Sequence, residues 1–489
     1  MTAVVDFLNS IIWSPVLIYL CLGAGLYFSI RTRFMQVRGI REMVRLMFKG
    51  EKSPAGISSF QALAISLSGR VGTGNIAGVA TAIAFGGPGA VFWMWVVAFL
   101  GASTAYIEST LGQIYKEVDE NGQYRGGPAF YIEKAMGQKW YAWVFAVSAA
   151  VSMGLLLPGV QANSVASSIE NAWGIAPAIT AGVIVVLLGF IILGGVKRIA
   201  SFAQYVVPFM ALMYMFISLV IIGLNISHIP DMFMLIVNSA FGFDSGFGAM
   251  MGIAIQWGVK RGIYSNEAGQ GTGPHAAAAA EVSHPAKQGY VQAFSVYIDT
   301  LLVCSATAFM ILATGTYNVE GADGSMIFTG LAGVEVGPGY TQAAVESVLP
   351  GFGSSFVAFA LMFFSFTTIM AYYYMADTNI AYINRKLSRP WLMWVLKFVF
   401  LAGVAYGAVS SAGLAWSLGD VGVGLMAWLN IVAILILQKP ALLCLKDYEE
   451  QKKAGLDPVF EPEKLGIKNA ELWNTIRAQN KVKRENMEG

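Results

Sequence analysis

Ser68-Gly69-Arg70-Val71-Gly72-Thr73-Gly74-Asn75-Ile76-Ala77-Gly78 falls in the middle of an apolar stretch, residues 58–84, long enough to cross a bilayer. A plain membrane span would carry leucines there. This one carries four glycines, an arginine and several hydroxyl and amide groups. Glycine admits backbone angles that other residues resist, so the helix is predicted to unwind at this point. Unwound backbone frees N–H and C=O groups that lipid cannot satisfy, and something bound must satisfy them instead. The half-helix beyond the break offers N–H donors and a positive dipole end to a carboxylate. The freed carbonyls offer hard oxygen ligands to a small cation.

A second stretch reads the same way: Trp257-Gly258-Val259-Lys260-Arg261-Gly262-Ile263-Tyr264-Ser265-Asn266-Glu267-Ala268-Gly269-Gln270-Gly271. Working outward, the apolar pattern predicts eleven helices, at 11–30, 58–84, 88–114, 141–164, 177–195, 200–225, 246–262, 286–314, 352–377, 390–410 and 417–437. The first is an extra helix. The other ten form a core in which the interrupted helices open each half. Five helices invert the topology, so the halves are expected to be inverted repeats. Paired, glycine-interrupted helices at equivalent positions point to a transporter site near the membrane midplane. The alternative is close packing through Gly-xxx-Gly, which fits Gly74 and Gly78. It does not account for Arg70 or the Lys260-Arg261 pair, which are costly inside a bilayer. A dinucleotide-binding loop is excluded, because no strand flanks Gly72-x-Gly74-x-x-x-Gly78 and the spacing is wrong.

Composition agrees. Charged residues make up 12% of the 489, against roughly 25% in a soluble domain. A net charge of +2 gives no bias toward nucleic acid. Cys21, Cys304 and Cys444 form no disulfide or metal spacing, and His228, His275 and His284 are too scattered for a metal cluster. Lys and Arg fall in alternate loops: Arg31 to Lys52, Lys116 to Lys139, Lys197 and Arg198, Lys287, then Arg385 to Arg389. The loop from Thr316 to Pro350 has none. The positive-inside rule then places the N-terminus outside and the C-terminus in the cytoplasm. The chain divides into an extra N-terminal transmembrane helix (1–35), a cytoplasmic amphipathic helix and linker (36–57), a first five-helix repeat (58–225), a second (226–438) and a cytoplasmic tail (439–489). Within 36–49, Val37, Ile40, Val44 and Met47 share a face expected to lie on the membrane surface.

Ser365, Thr367 and Thr368 could complete an oxygen cage for sodium with carbonyls of the first interrupted helix, or could bond back to their own helix. Gln161 could face a cavity or pair with a neighbouring helix. Asp299 and Asp377 read as isolated carboxylates, and no His or Cys lies in either break, so an enzyme lacks its parts. The motifs occur once per half rather than as a symmetric ring, which argues against a channel.

At these residues the sequence resembles the alanine or glycine:cation symporter family. Gly86-Gly87-Pro88-Gly89-Ala90-Val91-Phe92-Trp93-Met94-Trp95 is similar to its signature segment, Ser265 to Gly271 to a second, and Gly72 to Gly78 to its substrate-binding break. The resemblance implies an all-α integral membrane protein with the leucine-transporter fold of the amino acid–polyamine–organocation superfamily. It implies alternating access, alanine or glycine as substrate, and inward coupling to sodium or protons in a bacterial or archaeal cytoplasmic membrane. Thr73, Gly74 and Asn75 would hold the substrate carboxylate, with Gln161 and Trp257 walling the pocket. Carbonyls from Gly258 through Gly262 to Ile263 would receive the ammonium. Gly69 and Gly72 carbonyls with Thr367 and Thr368 would bind sodium, and Arg70 and Glu267 would pair as a cytoplasmic gate. No cofactor is implied beyond the co-transported sodium ion, and the chain is expected to work as a monomer. A proton-coupled carrier of another small neutral amino acid is the alternative.

Overall fold

The computed structural model describes residues 2–48, 55–193, 195–243, 247 and 250–478. The protein is predominantly helical. Among the described residues, seven helices are long and apolar enough to cross a membrane, or eight if Thr2–Ile12 and Pro15–Arg31, bent by 43°, form one span. Helices start where proline costs no hydrogen bond, as at Pro15, Pro177 and Pro285. They stop at left-handed glycines such as Gly174 and Gly315. Pro158 lies inside Lys139–Trp173, and the turn before it, Ser152–Leu156, widens to a π-helix because the ring supplies no N–H.

The first interrupted span runs Ser59–Arg70, unwinds over Val71 to Thr73, and resumes as the π turn Gly74–Gly78 followed by Val79–Gly86. The second runs Met251–Asn266, unwinds, and resumes at Gly273–Ala279. Both pack against Gly89–Ile114 and Pro285–Thr314, and the first also against Gly353–Leu387.

Connecting pieces also have structure that periodicity did not show. Ile229–Ala240 and Pro338–Val348 are helices, and Asn318–Glu320 pairs with Met326–Thr329 as a hairpin. The predicted surface helix forms as Met35–Arg38 and Ile40–Met47. Met43, Leu46 and Met47 are buried, whereas Val37, Ile40 and Val44 are exposed, so its apolar surface splits between protein and surroundings. Lys49 and Lys52 lie outside the described residues.

The tail corrects an expectation. The last span continues past 437 to Lys453, through Pro440. The chain then returns as a packed strap. Phe460 and Trp473 are buried, the Phe460 N–H donates to Ser283 O at 3.0 Å, and Trp473 Nε1 donates to Gln113 O at 3.1 Å. Charge had masked these two aromatic anchors.

Candidate functional site: two facing breaks

At the first break the freed N–H groups are held by side-chain oxygens. Gly72 N–H donates to Asn75 Oδ1 at 2.8 Å, and Thr73 N–H donates to Gln161 Oε1 at 2.9 Å. Gln161, on Leu157–Trp173, therefore faces the break. Asn75 is fully engaged, because its Nδ2 donates to Asp299 Oδ1 at 2.7 Å. It braces the turn. The glycines here are demanded by close approach. A Cβ on Gly72 would collide with Thr368 Oγ1, and one on Gly74 would lie 3.1 Å from Ser265 Cα.

The second break lies at the end of the stretch that the sequence marked, not at Gly258 to Ile263. Gly258, Gly262 and Ile263 belong to an intact helix, and the Ile263 carbonyl already accepts from Glu267 N at 2.9 Å and Gln270 Nε2 at 2.6 Å. Gly258 and Gly262, four residues apart, press against Gly89–Ile114: a Cβ on Gly258 would lie 2.5 Å from Ala90 O. The backbone unwinds at Glu267 to Thr272, where Glu267 (φ 57°), Gly269 (φ 90°) and Gly271 (φ 84°) are left-handed.

Glu108, which sequence reasoning overlooked, holds this second break. Its two carboxylate oxygens accept from Gly269 N–H at 3.2 Å and Gly271 N–H at 3.1 Å, and Asn430 Nδ2 donates to it at 2.7 Å. A lone glutamate in an apolar span was the available signal. Arg70 and Glu267 do not form the expected ion pair. Arg70 Nη1 donates to Gln292 O at 3.1 Å and to Ser295 Oγ. The left-handed turn carries Glu267 Oε2 against Gly69, 3.3 Å from where a Cβ would stand.

The hydroxyls on Gly353–Leu387 divide. Thr367 and Thr368 both donate to Phe364 O, at 2.9 and 3.0 Å. Thr368 Oγ1 also lies 3.4 Å from Val71 O, so the carbonyl it reaches is that of Val71 and not of Gly69 or Gly72. Ser365 Oγ meets Thr73 Oγ1 at 3.0 Å. Three oxygens, from Val71, Phe364 and Thr368, thus converge beside the break, while Thr367 Oγ1 turns toward Met210 Sδ at 3.8 Å.

Trp257 lies apart from this centre, lining a cavity of about 760 Å³. The cavity floor holds Asp420 between two cations: Arg261 donates to it twice, at 2.8 and 3.1 Å, and Lys260 Nζ lies 2.7 Å away. Arg261 stacks over Trp416 at 4.4 Å and Trp257 at 5.0 Å. The Lys260-Arg261 pair is thereby neutralised in part and covered by aromatic rings. Tyr264 and Trp416, with ring centroids 4.9 Å apart, stand between the cavity and Gly74. Asp377 is not isolated either; it pairs with Arg125 at 2.6 Å.

Buried polar breaks among long apolar helices define a multi-pass membrane transporter. The particular family follows from comparison. The model of the sodium:alanine symporter family matches residues 1–462, and the chain belongs to that family. YrbD of Bacillus subtilis (strain 168) is 66% identical over 466 residues, covering 95% of this chain and 96% of its own. The sodium/proton-dependent alanine carrier protein of Bacillus sp. (strain PS3) is 56% identical over 88% of this chain and 97% of its own. The sodium/alanine symporter AgcS of Methanococcus maripaludis is 37% identical over 92% and 98%.

Proposed function

We propose that this protein imports alanine, and with it glycine, together with sodium by alternating access. The observation that carries the reading is the first break packed against the last turn before the second, with Gly74 against Ser265, and the freed N–H of Thr73 held by the exchangeable side-chain oxygen of Gln161. A substrate carboxylate would take the place of Gln161 Oε1 on Thr73 N–H, near Gly74. Gln161 would then swing to wall the pocket beside Tyr264 and Tyr372. Both rings approach it. Sodium would sit among the oxygens of Val71, Phe364 and Thr368. Asn75 shapes the carboxylate site without joining it, and Trp257 shapes the entry. Glu267, next to Gly69 and facing Arg70, would close the opposite side through movement of the Gly273–Ala279 half-helix.

The architecture proposed is the leucine-transporter type. The two broken spans and Pro177–Ile192 join the eight longer ones to make eleven, a ten-helix core of two inverted repeats plus the N-terminal helix. The N-terminus would lie outside and the tail in the cytoplasm of a bacterial or archaeal membrane, with the monomer as the working unit.

The test is uptake of labelled alanine into liposomes holding the purified chain, with and without an inward sodium gradient, in competition with glycine. Sodium-driven, glycine-sensitive accumulation is expected. Equal uptake without sodium would reject the reading.

A further inference from the structure

We propose that a basic pocket between the first and last membrane-crossing helices binds the phosphate headgroup of an anionic phospholipid. The inference goes beyond transport and holds whichever ion is coupled.

The pocket, of about 270 Å³, lies where Pro15–Arg31 ends beside Ala412–Lys453. Arg31, Arg33, Arg38, Lys439 and Lys446 line it. Among the described lining residues Glu449 is the one acid, and it is already engaged. Arg38 Nη2 lies 2.6 Å from it, and the Tyr290 hydroxyl donates to it at 3.3 Å. Among the described residues Arg31, Arg33 and Lys439 meet no carboxylate, and Lys446 meets only Glu450, at 3.8 Å. Like charges gathered in one pocket repel, and an anion placed among them relieves that repulsion.

The cations are held in place. Arg33 (φ 54°) and Phe34 (φ 51°) are consecutive left-handed residues without glycine, a conformation that persists only where its surroundings enforce it. Arg38 enforces it here. Its Nε donates to Arg33 O and its Nη2 to Thr32 O, both at 2.9 Å, while the same Nη2 pins the turn to Glu449 on the last helix. Arg33 is thereby fixed at the pocket that Lys439 and Lys446 line from the other helix.

Depth and lining select a lipid over a soluble anion. Lys439 follows Ala412 by 27 residues, about 40 Å of helix. A bilayer with its headgroups is about 40–45 Å thick, so a helix that starts in one headgroup layer delivers Lys439 to the other. Leu442, Leu443 and Leu445 share the pocket with the cations. Ile436, one turn before Lys439, and Tyr27, one turn before Arg31, are exposed. Acyl chains would lie along that apolar surface while the phosphate meets the Arg31 and Arg33 guanidinium forks. Basic pockets between spans are where anionic headgroups bind.

The experiment measures lipid retained by the purified full chain in neutral detergent after delipidation. Native mass spectrometry follows titration with phosphatidylglycerol or with phosphatidylcholine. Phosphatidylglycerol is expected to bind about tenfold more tightly or better. Each basic side chain at a headgroup contributes about fivefold in affinity, so Arg33→Gln with Lys439→Gln should weaken phosphatidylglycerol by about 25-fold. Both side chains are exposed, and an unchanged melting temperature in phosphatidylcholine is expected. Lys439→Gln alone, with an expected loss of about fivefold, carries the test if the double variant does not fold. Lys452→Gln with Lys453→Gln removes two cations of the same helix outside the pocket and should leave binding unchanged. Equal binding of the two lipids overturns the proposal. So does a preference that survives Arg33→Gln with Lys439→Gln, or one that Lys452→Gln with Lys453→Gln lowers as far. Displacement of phosphatidylglycerol by millimolar inorganic phosphate also overturns it and gives the pocket to a soluble anion.

Discussion

The two interrupted spans carry the same glycine-rich signature and spend it differently. In the first, Gly72 and Gly74 lie at the unwound turn, and Gln161, Thr368 and Ser265 reach the backbone because no side chain stands in the way. In the second, Gly258 and Gly262 sit in unbroken helix and let a neighbouring helix close in. The unwinding comes later, at Gly269 and Gly271. Backbone conformation separates the cases. Gly258 and Gly262, four apart in unbroken helix, line one face and serve packing. Gly72-x-Gly74 and Gly269-x-Gly271 fall at the breaks, whereas Gly23-x-Gly25 and Gly422-x-Gly424 have the same spacing inside unbroken helices.

The sharpest way to break this comparison is to fill the packing pair. In Gly262→Val the new Cβ would collide with Val97, and in Gly258→Leu it would press on the Ala90 carbonyl. Overpacking of this kind costs about 1–3 kcal/mol, and more where backbone is in the way. Both variants are expected to lose thermal stability and yield, read by fluorescence-detected gel filtration of heated samples. A stable variant that had lost only alanine affinity would return these glycines to the pocket.

Next comes Gly269→Ala. Its φ of 90° is foreign to an alanine, and forcing a left-handed residue costs about 1–2 kcal/mol. Transport should fall with a smaller loss of stability than in Gly262→Val. Glu108→Gln should fall in the same range, about 1–3 kcal/mol, since the amide leaves one of the two Gly269 and Gly271 N–H groups without a carboxylate oxygen. A wild-type unfolding midpoint in Glu108→Gln would remove Glu108 as the clamp of the second break.

Smaller still is the contrast between neighbouring hydroxyls. Only Thr368 reaches a carbonyl of the first break, so Thr368→Val should weaken sodium more than Thr367→Val. Alanine affinity should follow by linkage, at about 5–150-fold. Equal effects of the two substitutions would dissolve the asymmetry. The least effect is expected from Trp257→Ala. Trp257 lines the cavity of about 760 Å³ apart from the first break, so uptake should slow modestly while leucine remains excluded. Admission of leucine would place Trp257 on the substrate after all.

Much of this was legible in the sequence. Long apolar periodicity located the seven or eight long spans among the described residues, and Gly72, Thr73 and Asn75 fell at a real break because polar groups and glycine coincide there. What escaped was whatever depends on a distant partner. Glu108 reads as one acid in an apolar helix until Gly269 and Gly271 fold over it. Asp299 reads as isolated until Asn75 and Ser265 reach it. Asp420 lies 159 residues from Arg261 in sequence, so nothing local announced that it would hold the Lys260-Arg261 pair. The expected Arg70–Glu267 pair failed for a local reason, since the left-handed backbone at Glu267 turns its carboxylate toward Gly69.

The central claim is that sodium and alanine bind to the same pair of facing breaks. Equilibrium binding of labelled alanine to the purified protein, in sodium and in choline, tests it most directly. The account predicts that sodium tightens alanine binding by about 5–150-fold, and that Thr368→Val largely removes this gain. Equal alanine affinity in sodium and choline for the wild-type protein would contradict it.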